Sequence, residues 1–307
     1  MGFPMTLHAF HEAFPNEASC WTWLRRMRWP RGFACPRCSG RTSYRLGRRD
    51  LGQCRDCAYQ VSLTAGTVLH KTRVPLRTWL LAVFFVARHK QSISALQLQG
   101  DAGIGSYKTA WLLLHKLRAV LGPDPSSLLS GLVEADETYL GAPHEKGRRG
   151  GRAHGRKTLI GAVVERRRGK GHLRLGILES HTFENDLGPF VRGAIEGPRT
   201  TVRTDGLDGY RPLAAAGIEH ERIVQGTDRS RSVKYFPWSH AVFSNLKSWL
   251  RGTYHGVSRK YLPRYLDEFS FRFNLRGNED SIGIEILKRV LTAPPFPYHR
   301  LEVELTG

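Results

Sequence analysis

The feature that most constrains the fold of this chain is a pair of CxxC motifs near its N-terminus. Cys35 and Cys38 form the first motif, Cys54 and Cys57 form the second, and fifteen residues lie between them. Where thiols stay reduced, this spacing predicts a tetrahedral Zn²⁺ site with four thiolate ligands. Two redox-active pairs or two disulfides are the alternatives. Strand-like segments surround both motifs, so we predict a zinc ribbon, in which metal replaces a core too small to fold alone.

The charge of the chain indicates the chemistry of its partner. Lys and Arg number 47 against 27 Asp and Glu, which gives a net charge of +20. A surplus of this size predicts a polyanionic partner, either nucleic acid or an acidic membrane surface. The longest apolar run, residues 79–87, is far shorter than the roughly 20 residues of a membrane span. The N-terminus has no secretory pattern. We therefore expect a cytoplasmic, nucleoid-associated protein that binds double-stranded DNA and no membrane.

Residues 92–122 are predicted to form two helices around a tight turn at the glycines of residues 103–105. A helix, a short glycine turn and a second helix are typical of a helix-turn-helix DNA-binding motif. A helical hairpin that only packs is the alternative. In the DNA-binding interpretation, base and phosphate contacts come from the start of the second helix, at Ser106, Tyr107, Lys108 and Thr109.

Beyond a linker at residues 122–127 the pattern changes to strands and helices in the order β-β-β-α-β-α-β-α. This α/β order predicts a ribonuclease H-like fold, a mixed five-stranded sheet with helices on both faces. We predict three domains: a helix with the zinc ribbon at 1–70, the helix-turn-helix segment at 71–125 and the ribonuclease H-like domain at 128–295. A Gly/Arg-rich loop between the first two strands is expected to hold DNA backbone through Arg148, Arg149, Arg152 and Arg156.

Two aspartates stand at positions where this fold brings strands together. Asp136 lies within the first predicted strand and Asp205 ends the fourth. The two strands are neighbours in a ribonuclease H-like sheet, so the carboxylates can converge on Mg²⁺ or Mn²⁺. Glu134, Glu137 and Asp208 are competing carboxylates. Strand alternation places Glu134 on the same face as Asp136 and Glu137 on the opposite face.

A third acidic ligand is expected on the helix predicted at 237–256, and that helix has no acidic residue. Its helical projection places His240 and Lys247 on a common face, whereas Asn245 falls on the other flank. A neutral histidine or an asparagine can still bind a metal. Lys247 is a candidate for contact with DNA phosphate. The projection favours His240 as the third residue.

Several longer segments resemble bacterial insertion-sequence transposases of the DDE superfamily, in the branch with an N-terminal zinc ribbon and an ISXO2-like catalytic domain. The matching segments are "CPRC…CRDC", "SLTAGTVLHKTRVPLRTW", "SYKTAWLLLHKLR", "VEADETYLG", "TDGLDGY", "HAVFSNLKSWLRGTYHGVS" and "YLDEFSFRFNLR". The resemblance implies Mg²⁺-dependent cleavage and strand transfer of DNA ends, with the acidic roles on Asp136 and Asp205. Part of the branch has Asn in the third position followed by a functional Lys, which here map to Asn245 and Lys247. The third residue therefore stays open between His240 and Asn245.

Three functions are compatible with these features. The first is a transposase that binds terminal inverted repeats and target DNA, by analogy as a homo-oligomer on paired ends. The second is a DNA-binding regulator, or a catalytically decayed transposase, that binds the same ends without cutting. The third is a nuclease of the same fold without specificity for the ends.

Overall fold

The computed structural model describes residues 2–46, 51–141, 157–167, 171–224 and 234–297. The predicted DNA-binding arginines Arg148, Arg149, Arg152 and Arg156 lie outside these ranges. The chain divides into two compact units, Met1–Leu121 with Asn278–Gly307, and Gly122–Gly277. No helix in the described ranges is long and apolar enough to cross a membrane.

The first unit combines helices with a small antiparallel sheet. Its helices are α1 (Leu7–Ala13), α2 (Glu17–Arg28), α3 (Leu76–Arg88), α4 (Ala95–Asp101), α5 (Tyr107–Arg118) and the C-terminal α10 (Ile282–Thr292). Its strands are β1 (Ser43–Leu46), β2 (Leu51–Cys54) and β3 (Gln60–Ser62), in that spatial order. Where the sequence predicts one N-terminal helix, the structure has two. The break is explained by Asn16, whose side chain accepts a hydrogen bond from the backbone N–H of Ser19 in a capping box at the start of α2.

Helix α10 packs back onto the N-terminal part of the chain. The backbone N–H of Val68 donates to the carbonyl of Val290 at 3.3 Å. Arg289 donates from its guanidinium to the carbonyl of Val120 at 3.1 Å. A Cβ built on Gly283 would lie 2.3 Å from the ring of Phe3, so the glycine allows close approach at this contact. These contacts place the last described helix in the first unit.

The second unit is built on a sheet that, within the described ranges, has five strands. They are β4 (Leu129–Gly141), β5 (Lys157–Glu165), β6 (Leu173–Leu178), β7 (Ile195–Thr204) and β8 (Glu219–Arg222). Their spatial order is β6-β5-β4-β7-β8. Strand β5 pairs antiparallel with both β4 and β6, whereas β7 pairs parallel with β4 and β8 pairs parallel with β7. This mixed sheet confirms the predicted ribonuclease H-like fold class.

Helices cover both faces of the sheet, as predicted. They are α6 (Gly188–Ala194), α7 (Pro212–Ala215), α8 (Pro237–Tyr254) and α9 (Leu262–Asn274). One core cluster joins the sheet to α6, α7 and the short helical turn Asp208–Tyr210. On the other face, two clusters join β5 and β6 to α8 and α9 through residues such as Ile160, Leu246 and Leu266. The apolar face of α8 is buried in these clusters.

Candidate active site and metal centre

The four cysteines of the two CxxC motifs converge in the first unit. Their sulfur atoms all lie within 4.8 Å of one another. Cys35 Sγ is 3.6 Å from Cys57 Sγ, and Cys38 Sγ is 3.5 Å from Cys54 Sγ. A tetrahedral zinc with Zn–S bonds of about 2.3 Å requires sulfur–sulfur separations of about 3.8 Å, so this arrangement fits Zn²⁺.

The backbone around the cysteines explains how two separate turns present their thiols to one point. Ser39 and Ala58, each the residue after a CxxC motif, adopt left-handed φ values of 61° and 56°. In each motif the N–H of this residue donates to the carbonyl of the first cysteine, at 2.9 Å and 3.1 Å. The two knuckles therefore have the same local geometry. A small apolar cluster that includes Phe33 and Val61 packs beside them.

The predicted helix-turn-helix segment contains the two expected helices, α4 and α5. Ser94 caps α4 by accepting from the N–H of Gln97 at 3.2 Å, and Gly103 has a left-handed φ of 61° in the turn. Ser106 occupies the N-cap position of α5, but its side chain makes no capping hydrogen bond, although serine is a typical residue at this position. Ser106, Tyr107 and Lys108 are exposed and Thr109 is half-buried.

Strand register places the two predicted aspartates side by side. Strands β4 and β7 are parallel, and Glu134 is the partner of Arg203. Asp136 lies two residues after Glu134, and Asp205 lies two residues after Arg203. Because neighbouring strands lie about 4.8 Å apart, the two aspartates are adjacent. The negative charge of Asp205 also contributes to raising the pKa of Asp136. Two like charges held this close are the arrangement that a divalent cation relieves.

Asp136 is held in a defined orientation. Its Oδ1 accepts from the backbone N–H of Glu137 at 2.8 Å, and its Oδ2 accepts from the hydroxyl of Ser239 at 2.8 Å. Burial is the main reason that its pKa is raised, while these hydrogen bonds and the nearby His240 act in the opposite direction. Asp205 Oδ1 accepts from the N–H of Leu207 at 2.9 Å, which fixes the second carboxylate in its turn.

Glu134 joins the strand that carries Asp136 to the start of α8. Its side chain is fully buried. Its Oε2 accepts from the backbone N–H groups of Trp238 and Ser239, at 3.0 Å and 2.9 Å. The first N–H groups of a helix have no acceptor within the helix, so Glu134 supplies a hydrogen-bond acceptor for two of these groups in α8. Glu134 therefore has an anchoring contact on the same side of β4 as Asp136, as alternation predicts.

The helix α8 brings two of its three candidate residues into the electrostatic field of Asp136. His240 follows Ser239 directly and lowers the pKa of Asp136. Lys247 Nζ donates to Thr138 Oγ1 at 2.7 Å; burial lowers the pKa of Lys247, and the charge of Asp136 acts in the opposite direction. Asn245 and His240 are both exposed, and Asn245 lies about 140° around the helix from His240.

Glu137 points away from this cluster, as strand alternation predicts. Its Oε2 accepts from the buried Tyr210 hydroxyl at 2.7 Å, and its Oε1 lies 3.6 Å from His181 Nδ1. Burial raises the pKa of Glu137 to about 7, although the bond from Tyr210 acts in the opposite direction. Asp208, the remaining competitor, is exposed and pairs with Arg211 and Arg222.

Sequence reasoning did not find Ser239 or Tyr210. Both act through hydrogen bonds across more than 70 residues of chain, Ser239 to Asp136 and Tyr210 to Glu137. The available signals were weak: a serine directly before His240 at a proline-initiated helix start, and a tyrosine five residues after Asp205.

A mixed sheet in the order β6-β5-β4-β7-β8, with Asp136 on β4 and Asp205 directly after the end of β7, defines a ribonuclease H-like domain. The comparisons with known proteins give the family. Residues 128–274 match the ISXO2-like transposase domain, and residues 15–60 match the transposase zinc-ribbon domain. The chain belongs to this family of insertion-sequence transposases, which combines both domains.

A relative in Halobacterium salinarum, described as an uncharacterized protein in transposable element ISH50, is 30% identical over 302 residues. The match covers 91% of this chain and 97% of that protein. Among solved structures, a chain of the simian T-cell lymphotropic virus intasome in complex with PP2A regulatory subunit B56 gamma matches with a TM-score of 0.31 and 11% identity. That match covers 57% of this chain and 67% of the other.

Proposed function

We propose that this protein is an active transposase that binds the terminal inverted repeats of its insertion sequence and catalyses metal-dependent strand cleavage and strand transfer. The observation that carries the proposal is the register of β4 and β7, which brings Asp136 and Asp205 together. Membership of a transposase family supports the reaction class. The protein would act on DNA in the cytoplasm. By analogy with other transposases, we expect a homo-oligomer on paired ends.

In this proposal, Asp136, Asp205 and His240 hold Mg²⁺ or Mn²⁺. His240 is preferred to Asn245 because His240 acts on Asp136 electrostatically, whereas Asn245 lies on another side of α8. Held by these residues, the cations would supply the Lewis acidity needed to activate a water or a 3′-hydroxyl and to stabilise the leaving oxygen of the phosphodiester. Ser239 and the Glu137 N–H keep the Asp136 carboxylate in place for this role. Lys247 would contact a DNA phosphate, and its hydrogen bond to Thr138 supports a fixed position for this role.

The first unit supplies DNA recognition in this proposal. The exposed start of α5, at Ser106, Tyr107, Lys108 and Thr109, reads the terminal repeats, and the zinc ribbon, held by structural Zn²⁺, adds a second DNA contact. With a net charge of +20, the affinity for DNA should fall steeply as salt rises, through release of counterions from the phosphates.

The decisive experiment is cleavage of a labelled duplex that carries the terminal repeats, in Mg²⁺ or Mn²⁺. The variants are Asp136→Asn and Asp205→Asn, which keep side-chain size and remove charge. Asp208→Asn is the matched control, since this aspartate is exposed and engaged with arginines. We expect both site variants to lose cleavage while they keep DNA binding, and the control to cut like wild type.

A second candidate function is a regulator that binds the same ends without cutting. The absence of a carboxylate on the described helix α8 favours it, because a neutral third ligand neutralises less cation charge. If wild type and all three variants bind the repeats equally and none cuts, the regulator is the correct function. Equal cutting of random-sequence duplexes would instead indicate a nuclease without end specificity.

A further inference from the structure

Glu137 is a buried carboxylate that the proposed site does not use. It is next to Asp136 on β4 but faces the other side of the sheet, and its side chain is 11% exposed. A buried carboxylate is costly unless it is hydrogen-bonded. Here the partner is Tyr210, whose hydroxyl donates to Glu137 Oε2 at 2.7 Å.

Tyr210 belongs to the same short segment as Asp205. The segment leaves β7, turns at Asp205, whose Oδ1 accepts from Leu207 N–H, and ends in the helical turn Asp208–Tyr210. The N–H of Tyr210 donates back to the carbonyl of Leu207 at 3.2 Å. The chain between Asp205 and Tyr210 is thus folded on itself, so a shift of Tyr210 moves Asp205 as well.

The turn is also seated closely against the segment that follows β6. A Cβ built on Gly209 would lie 2.2 Å from the carbonyl oxygen of His181, so only glycine allows this approach. His181 Nδ1 lies 3.6 Å from Glu137 Oε1, and its Nε2 is 3.1 Å from the hydroxyl of Tyr139. Three parts of the chain therefore meet at the Glu137 carboxylate.

We propose that the hydrogen bond from Tyr210 to Glu137 is a positioning contact that fixes Asp205 relative to Asp136. Asp136 and Glu137 are consecutive on β4. A hydrogen bond to Glu137 therefore fixes the position of the Asp205 segment relative to the backbone beside Asp136. Hydrophobic packing of the Tyr210 ring holds the segment in the core, whereas the directional hydroxyl bond sets its position along β4. This inference rests on the proposed metal site, because its effect is on the distance between the two ligands.

The test measures Mn²⁺ binding to the full-length zinc-loaded protein without DNA, by electron paramagnetic resonance at fixed pH. Mn²⁺ prefers oxygen ligands over thiolates, so the cysteine site does not compete. Tyr210→Phe removes the hydroxyl and leaves the ring in the core. Because hydrogen bonds to charged groups contribute substantially, we expect about tenfold weaker Mn²⁺ binding. Tyr139→Phe is the matched control: it removes a hydroxyl bonded to His181 but not to Glu137, and we expect unchanged binding.

Three further variants separate positioning from stability. Glu137→Gln keeps an oxygen acceptor for Tyr210 and should bind Mn²⁺ within about threefold of wild type, whereas Glu137→Ala should resemble Tyr210→Phe. The double variant Tyr210→Phe with Glu137→Ala should be no weaker than either single change, because both remove one contact. Glu137→Gln also provides a folded comparison if Tyr210→Phe fails to fold.

The outcomes distinguish this inference from the function on which it rests. If Asp136→Asn and Asp205→Asn leave Mn²⁺ binding unchanged, the proposed metal site itself is wrong. If those variants lose binding while Tyr210→Phe binds like wild type, the positioning contact is refuted. A lower melting temperature of Tyr210→Phe with unchanged Mn²⁺ affinity refutes it as well, since the bond then has a structural role only.

Discussion

Replacing Glu134 by alanine is expected to loosen helix α8 while the rest of the second unit stays folded. In the wild type, the fully buried Glu134 accepts two backbone N–H groups from Trp238 and Ser239. The alanine variant leaves both donors without this acceptor, the N–H of Ser239 in a buried position and that of Trp238 in a part-buried one. The same change removes the support next to Ser239, which donates to Asp136.

The size of the effect follows from these contacts. Hydrogen bonds to a charged acceptor contribute about 1.5–3 kcal/mol each, and loss of a helix cap alone costs about 1 kcal/mol. The cost of burying the carboxylate, which raises the pKa of Glu134, offsets part of this gain. We therefore expect Glu134→Ala to lower the free energy of unfolding by about 3 kcal/mol, in the range found for breaking buried charged pairs. Glu134→Gln keeps one acceptor oxygen and should cost about 1 kcal/mol.

Hydrogen exchange of the full-length protein, followed by mass spectrometry, provides the assay. Peptides that cover α8 should exchange much faster in Glu134→Ala, while peptides from α3 in the first unit serve as an internal reference. The matched control is Glu165→Ala, which also removes a buried carboxylate that accepts two backbone N–H groups, from Ser130 and His172. This control should loosen the β5–β6 region instead. Protection of α8 equal to wild type in Glu134→Ala would refute the anchoring role.

Three further predictions follow from the site and the cysteines. His240→Ala should reduce cleavage of terminal repeats by about 10- to 100-fold, whereas Asn245→Ala should change it by less than about threefold; the reverse ranking would assign the third position to Asn245. Removing zinc with a chelator, or replacing Cys54 by alanine, should unfold the ribbon, because metal binding supplies its folding free energy; metal analysis and hydrogen exchange over residues 51–62 check this. Burial, and then the charge of Glu17, raise the pKa of Cys20 to about 11, so its alkylation by iodoacetamide at pH 8 should be about 100-fold slower than that of an ordinary thiol. In the unfolded chain the Cys20 thiol ionises at its ordinary pKa of 9.0, below its pKa of about 11 in the folded chain. The free energy of unfolding should therefore decrease as the pH rises from about 9 to about 11.

The sequence was sufficient to predict the order of strands and helices in the second unit and the adjacent positions of Asp136 and Asp205, because both depend on local patterns. Alternating and continuous apolar runs give the strands, and the fold order then makes β4 and β7 neighbours. The opposite faces of Asp136 and Glu137 follow from the two-residue period of a strand. The helix projection that separates His240 from Asn245 is likewise a local argument.

The supporting contacts were not predictable for a different physical reason. Ser239 and Asp136 are 103 residues apart, and Tyr210 and Glu137 are 73 apart. Whether such side chains meet depends on side-chain rotamers and on the seating of α8 and the Asp208–Tyr210 turn. Those depend in turn on the packing of the whole core. The break between α1 and α2 was missed although its capping residue, Asn16, is a recognisable helix-start signal.

The return of α10 to the N-terminal part of the chain has a consequence for synthesis. The unit that contains the zinc ribbon and the helix pair α4–α5 also includes a helix from residues 282–292. The entire ribonuclease H-like unit is inserted between its two pieces. A nascent polypeptide therefore displays α2 and α3 long before the ribosome has made α10, the helix that packs against them. Chains that terminate before residue 282 lack this helix, so the first unit reaches its final packing only after the whole second unit has been translated.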